Sequence, residues 1–265
     1  NRKVVLTVKN TIIKSMTLLT LIASVGTIDS FYNNSINVAR AEENTGAEAK
    51  IEAVKNSFHS PYNIVTKIEG PNFSATGFVS GKTTVMTNKH VLKSILKEGT
   101  LKTNVILAKN NANEGSKKDL GTFKIRDYTE APGDIDVVIL EMSPNEKGQN
   151  IGDVVNPAKI KSADDINQEW IDKNKDKKFY LAGYPGGRDI DTMWSSEGGL
   201  LFFIGRTDPL KFFGSMPGAP GSSGSPVFND KHEVVGIVYS GWEANQGVNG
   251  YLFREDLYKF IEANT

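Results

Sequence analysis

The stretch "PGSSGSPVF", Pro220 to Phe228, sets three serines and two glycines around Pro220 and Pro226. It reads either as a flexible polar loop or as a rigid turn that presents one serine as a nucleophile. Gly221 permits a tight backbone turn in which its own N–H and that of Ser223 point to one spot. Gly224 leaves room beside Ser223, and Pro226-Val227-Phe228 returns the chain to a strand. Gly/Ser-rich loops are common, so the rest of the chain must decide between the two readings.

A serine hydroxyl is a weak nucleophile at neutral pH. It needs an imidazole to take its proton, a carboxylate to orient that imidazole, and N–H donors for the oxyanion. The chain holds three histidines. His232, in the polar link "NDKHEVVG", reads as a solvated turn residue, and His59, just before Ser60-Pro61, as a surface residue. His90 ends "TTVMTNKHV", a strand leading out of an apolar run, and on its own could be structural or catalytic. For the acid, "GDIDVVILEM" offers Asp134 and Asp136 at the entrance to an apolar strand. A carboxylate there is costly to bury unless it is hydrogen-bonded. Asp136 touches the apolar run directly and is the favoured orienting acid; an ordinary strand-entry aspartate is the competing reading.

Chain order narrows the choice. A G-x-S-x-G nucleophile elbow fails because position 225 is serine, and because that fold runs serine, acid, histidine along the chain. Here the order is His90, Asp136, Ser223.

The surrounding texture is β-rich. "YNIVTKI", "ATGFVSGKTTVMT", "NVILA", "GTFKIRDY" and "DVVILEM" precede a polar, helix-tolerant stretch at about 162–178. "FYLAGYP", "GGLLFFIG", "LKFFG", "SPVFN" and "VVGIVYSG" follow it. Two β-rich halves, 61–160 and 179–265 with a linker at 161–178, suggest barrels or sandwiches. Ile51, Val54 and Phe58 stand at helical spacing, which predicts an N-terminal amphipathic helix from about Gly46 to Phe58 within a segment 42–60. "REDLYKFIEAN" predicts a C-terminal helix with Leu257, Phe260 and Ile261 on one face.

The segments "TNKHV", "DVVIL" and "GSSGSPVF" resemble the catalytic segments of chymotrypsin-fold serine proteases. "GFVSGKTTVMTNKHV", "NPAKI", "AGYPGG", "SGSPVFNDKHEVVGI" and "LYKFIEAN" bring the likeness closest to the secreted staphylococcal branch: glutamyl endopeptidases, Spl-type proteases and exfoliative toxins. The resemblance covers residues 60 to 265. It implies an all-β fold of two six-stranded antiparallel barrels, with His90 and Asp136 from the first and Ser223 from the second. It further implies an oxyanion hole from the Gly221 and Ser223 amides, a polypeptide substrate, a host protein among the candidates, and no cofactor or metal.

The chain also departs from that pattern. Glutamate-specific relatives carry a histidine in a "GIH" strand and a hydroxyl a few residues before the nucleophile. Here Val238 takes the histidine position, in Gly236-Ile237-Val238-Tyr239-Ser240-Gly241, and Gly218-Ala219-Pro220 replaces the hydroxyl. A substrate carboxylate without donors is expensive to bury. The substrate-binding set Gly218, Val238, Tyr239, Ser240 and Gly241 therefore predicts weak glutamate preference and a taste for small or apolar side chains. Pro220 before Gly221 raises the alternative of a misoriented 220–221 peptide, and so of a latent or silent homologue that binds a host protein.

Composition fits these readings. The 265 residues are 38% hydrophobic, enough for real cores, and carry 31 basic and 31 acidic side chains, so nothing global points to nucleic acid. The absence of cysteine excludes a disulfide scaffold and a thiolate nucleophile. Arg2, Lys3, Lys9 and Lys14, the short apolar run Met16 to Ile28 and Ala39-Arg40-Ala41 predict a secretory leader over 1–41. The expected product is an extracellular monomer that is not held in a membrane.

Overall fold

In a computed structural model, residues 50–205, 210–241 and 247–265 are described. The expected leader lies outside them. The described residues open with strand β1 (Lys50–Ala53), then β2 (Val65–Glu69), β3 (Ser74–Val79), β4 (Thr84–Thr87) and helix α1 (Lys89–Glu98). Next come β5 (Asn104–Leu107), β6 (Gly121–Phe123), β7 (Ile125–Glu130) and β8 (Val138–Met142). Two short helices, α2 (Ile151–Val154) and α3 (Gln168–Lys173), lead to β9 (Phe179–Gly183), β10 (Trp194–Gly198) and β11 (Leu200–Phe203). The chain closes with β12 (Lys211–Gly214), β13 (Pro226–Phe228), β14 (Val234–Gly241), β15 (Val248–Leu252) and α4 (Glu255–Asn264).

The first sheet runs β6-β5-β2-β3-β4-β8-β7, with antiparallel neighbours throughout. Its two ends are one bent strand: only Lys124 separates β6 from β7. The sheet therefore closes into a six-stranded barrel, and the bend absorbs the turn that closure demands. The second sheet, β1-β10-β9-β13-β14-β15-β12-β11, repeats the device, because only Gly199 separates β10 from β11. At neighbouring Gly198 an added Cβ would stand 2.6 Å from the Met216 nitrogen, so the corner is as tight as backbone allows. Six strands again close the barrel, and β1 is added on the free edge of β10.

That added strand corrects the predicted N-terminal helix. Ile51 pairs with Ser196 and Ala53 with Trp194, and the Val54 N–H donates to the Met193 carbonyl at 2.9 Å. Ile51 and Ala53 are half-buried with exposed Glu52 between them, as on the two faces of a strand, and Val54, just past its end, is buried. A short helix is marginal by itself, and an open strand edge offers a better partner for its backbone.

The C-terminal helix stands where it was expected. Leu257 and Ile261 are fully buried, and Phe260 packs partly buried beside them. They join a core that fills the first barrel and continues between the barrels through Tyr184, Phe228, Ile237, Tyr251 and Phe253. A second core, with Phe212, Val227, Val238, Val248 and Leu252, fills the second barrel.

Candidate active site

His90 is the second residue of α1, directly after β4 ends and Asn88 turns the chain in an extended conformation. Buried Val91, Leu92 and Ile95 pin the helix, so the exposed imidazole stands at a fixed corner of the first barrel. Asp136 sits in the link from β7 to β8. Its Oδ2 lies 2.6 Å from His90 Nδ1, and its Oδ1 accepts the His90 backbone N–H at 3.0 Å. The Asn88 side-chain amide donates to the Asp136 carbonyl at 2.7 Å. Of the two aspartates, Asp136 faces the imidazole and Asp134 is solvent-exposed. A carboxylate opposite Nδ1 puts the proton of neutral imidazole on that nitrogen and leaves Nε2 free to accept.

The serine turn is built from its own backbone. The Ser222, Gly224 and Ser225 amides donate to the carbonyls of Ala219, Val238 and Ser222. Those of Gly221 and Ser223 have no acceptor among the described residues. Ser222 and Ser225 are fully buried, and only Ser223 of the three keeps surface. In the present rotamer its hydroxyl donates to the Tyr239 carbonyl at 3.2 Å.

The Pro220–Gly221 peptide has a defined orientation. The Pro220 carbonyl accepts the Gly186 N–H at 2.7 Å. In a trans peptide the N–H points opposite to the C=O, so the Gly221 N–H faces away from Gly186. Gly221 has φ +102°, and an added Cβ would meet the Tyr184 carbonyl at 2.4 Å, so only glycine fits.

The first barrel grips this turn. The Thr76 N–H donates to the Ser223 carbonyl at 2.9 Å, and its hydroxyl donates to the Gly221 carbonyl at 2.8 Å. Thr87, three residues before His90, donates from its hydroxyl to the Thr76 carbonyl at 2.8 Å. A Cβ on Gly224 would fall 1.8 Å from that carbonyl and 2.5 Å from the Thr87 hydroxyl. The serine turn is thus in direct contact with β3 and with the end of β4, three residues before His90. From the second barrel, the Tyr251 hydroxyl accepts the Asp136 N–H at 3.3 Å, and its ring lies 4.9 Å from that of Tyr239.

Of the predicted substrate-facing residues, Tyr239, Ser240 and Gly241 are half-buried. Asn249 donates to the Ser240 hydroxyl at 3.0 Å. Gly218 is buried against Val248 and Gly241. Val238 is fully enclosed in the second barrel's core, so its side chain offers no surface. His232 and His59 are both exposed, and the His232 ring meets the edge of Tyr180. Thr76, Gly186 and Tyr251 went unnoticed in the sequence. Nothing local marks Thr76 in "SATGF", and only the fold brings it to the turn.

Residues 75–237 match the family model described as trypsin-like peptidase domain. The chain is 35% identical over 201 residues to a glutamyl endopeptidase of Staphylococcus epidermidis, covering 76% of this chain and 66% of that protein. It is 32% identical over 218 residues to a glutamyl endopeptidase of Staphylococcus aureus strain MW2, covering 81% and 61%. The chain thus spans about two thirds or less of the length of these relatives. Among solved structures, a Glu endopeptidase in complex with MPD superposes with a TM-score of 0.64 at 18% identity, over 82% of this chain and 97% of that one. The protease Anisep from Arthrobacter nicotinovorans gives a TM-score of 0.60 at 16% identity, over 81% and 99%. These two share the fold.

Proposed function

The chain belongs to the trypsin-like peptidase domain family, and on that premise we propose that it is a serine endopeptidase working through His90, Asp136 and Ser223. The observation that carries the proposal is the 2.6 Å contact between Asp136 and His90 Nδ1, beside a turn that leaves two amides unspent. Ser223 rotates its hydroxyl from the Tyr239 carbonyl to His90 Nε2 and attacks the scissile carbonyl as the proton passes to the imidazole. Asp136 stabilises the imidazolium. The Gly221 and Ser223 amides receive the oxyanion, and the orientation of the Pro220 carbonyl supports a hole formed in the resting protein. His90 then protonates the leaving amine, and water releases the acyl group by the same relay in reverse.

We further propose that glutamate is not the preferred residue on the acyl side of the cut. Gly218 has no side chain and the Val238 side chain is apolar and enclosed, so neither can hold a carboxylate. Small or apolar side chains fit better. The basic, apolar and Ala39-Arg40-Ala41 segments support export and action on an extracellular polypeptide, a host protein among the candidates. Among the described residues, no helix is long and apolar enough to cross a membrane.

The test is fluorophosphonate labelling of the protein beside a Ser223→Ala control, followed by peptide-library cleavage. Labelling confined to Ser223 and cuts after uncharged residues are expected. An unlabelled Ser223 refutes the peptidase reading, and dominant cleavage after glutamate refutes the specificity.

A further inference from the structure

We propose that the Thr76 hydroxyl is a positioning group that holds the oxyanion donors in register from the opposite barrel, an inference that rests on the peptidase reading above. Thr76 lies on β3 of the first barrel and is fully buried. Its Oγ accepts the Tyr184 N–H at 3.1 Å and donates to the Gly221 carbonyl at 2.8 Å. Because an N–H can only donate, Tyr184 occupies a lone pair and the hydroxyl proton is committed to Gly221.

The consequence lies in the two peptides flanking Gly221. The one before it carries the Gly221 amide and is held at the Pro220 carbonyl by Gly186. The one after it is held at the Gly221 carbonyl by Thr76. That second peptide is also held by its Ser222 N–H, which donates to the Ala219 carbonyl at 2.9 Å. Without the Thr76 bond it keeps this one anchor, and glycine imposes little conformational preference of its own to hold the Gly221 torsions in place. Tyr184 and Gly186 belong to the same β9–β10 link, and that link therefore reaches both anchors. The second donor, the Ser223 N–H, belongs to the 222–223 peptide, whose Ser222 carbonyl accepts the Ser225 N–H, while the Thr76 N–H holds the Ser223 carbonyl on the other side of that residue. Removing the hydroxyl while keeping the backbone bond separates side-chain positioning from the general docking of the turn.

The oxyanion exists in the transition state and not in the bound substrate, so a misplaced donor lowers kcat and leaves KM nearly unchanged. Losing a donor outright costs roughly 100- to 1000-fold. A displaced one should cost about 10- to 100-fold.

The experiment compares Thr76→Val, Thr76→Ala and Thr76→Ser with the wild type on one peptide substrate. Rates are divided by the active-site concentration titrated with a fluorophosphonate. Binding of a peptide aldehyde, which forms a tetrahedral adduct, is measured alongside that of a non-reactive product peptide. Thr76→Ser should retain kcat within a few-fold. Thr76→Val, or Thr76→Ala if valine prevents folding, should lose about 10- to 100-fold in kcat and in aldehyde affinity, with product-peptide affinity unchanged. Equal kcat per titrated site in all four proteins overturns the inference, as does a loss confined to the titratable fraction. A wild type that neither labels nor cleaves refutes the peptidase reading itself, an outcome separate from both.

Discussion

At the scale of the residue, the decisive contact is Asp136 Oδ2 with His90 Nδ1. An amide in place of that carboxylate can present its NH₂ to Nδ1, which moves the imidazole proton to Nε2 and removes the acceptor that Ser223 needs. Asp136→Asn should therefore leave the fold intact and lower kcat by about 10⁴-fold near neutral pH. Rates per mg of folded protein, with circular dichroism as the control, check this; a loss under tenfold would contradict the assignment. The Asp136 amide is a weaker lever. Its bond to the Tyr251 hydroxyl is long, at 3.3 Å, so Tyr251→Phe should cost less than about tenfold in kcat, measured with the same assay. The site residues that could be read in the sequence were those whose chemistry is rare in the chain: one of three histidines, an acid at an apolar strand, a serine among glycines. Thr76 was hidden because a threonine in a strand is ordinary, and its meaning comes from a turn 145 residues away.

At the scale of the element, the difference between expectation and structure is concentrated in β1. Ile51 within it and Val54 just past its end fit helical spacing over so short a run, and no sequence window contains the edge of β10 that it joins. Helix α4 was legible because Leu257 and Ile261 repeat over a full ten residues. The barrels' closure was not legible locally either, since Lys124 and Gly199 become corners only when both halves of a bent strand find different partners. The contribution of β1 is testable. Val54→Pro removes the N–H that the buried Met193 carbonyl accepts, together with part of a buried side chain. An unsatisfied buried carbonyl costs about 1–3 kcal/mol, and at about 2–4 °C per kcal/mol for a chain of this size Tm should fall by about 2–12 °C. Calorimetry showing an unchanged Tm would mean that the strand is dispensable.

At the scale of the whole molecule, the two barrels meet where Lys67 on β2 pairs in register with Thr76 on β3. Thr76 grips the serine turn. Lys67, whose side chain is wholly enclosed, reaches Asp191 of the second barrel and Glu69 of its own strand, each at 2.7 Å. Burial pulls the Lys67 ammonium toward lower pKa, but hydrogen bonds and charge from Asp191 and Glu69 outweigh it, and the group titrates above the usual lysine value. The sign follows. The ion triad stabilises fully below the unfolded lysine value of about 10.4, and this contribution is lost as pH rises through the higher folded value. Its size is bounded by exposure. The carboxylates remain 38% and 41% exposed, so losing the lysine leaves them hydrated and avoids the several kcal/mol of a stranded buried charge. Lys67→Met should thus lower stability by about 1–2 kcal/mol at pH 8. The gap to wild type should narrow as pH climbs past about 10.5, because the wild type then loses what the variant never had. Urea unfolding of both proteins between pH 8 and 11.5 measures that gap directly. A constant gap across the range would mean that the lysine acts through its packing and not its charge, and that the barrels are held together by the apolar contacts between them.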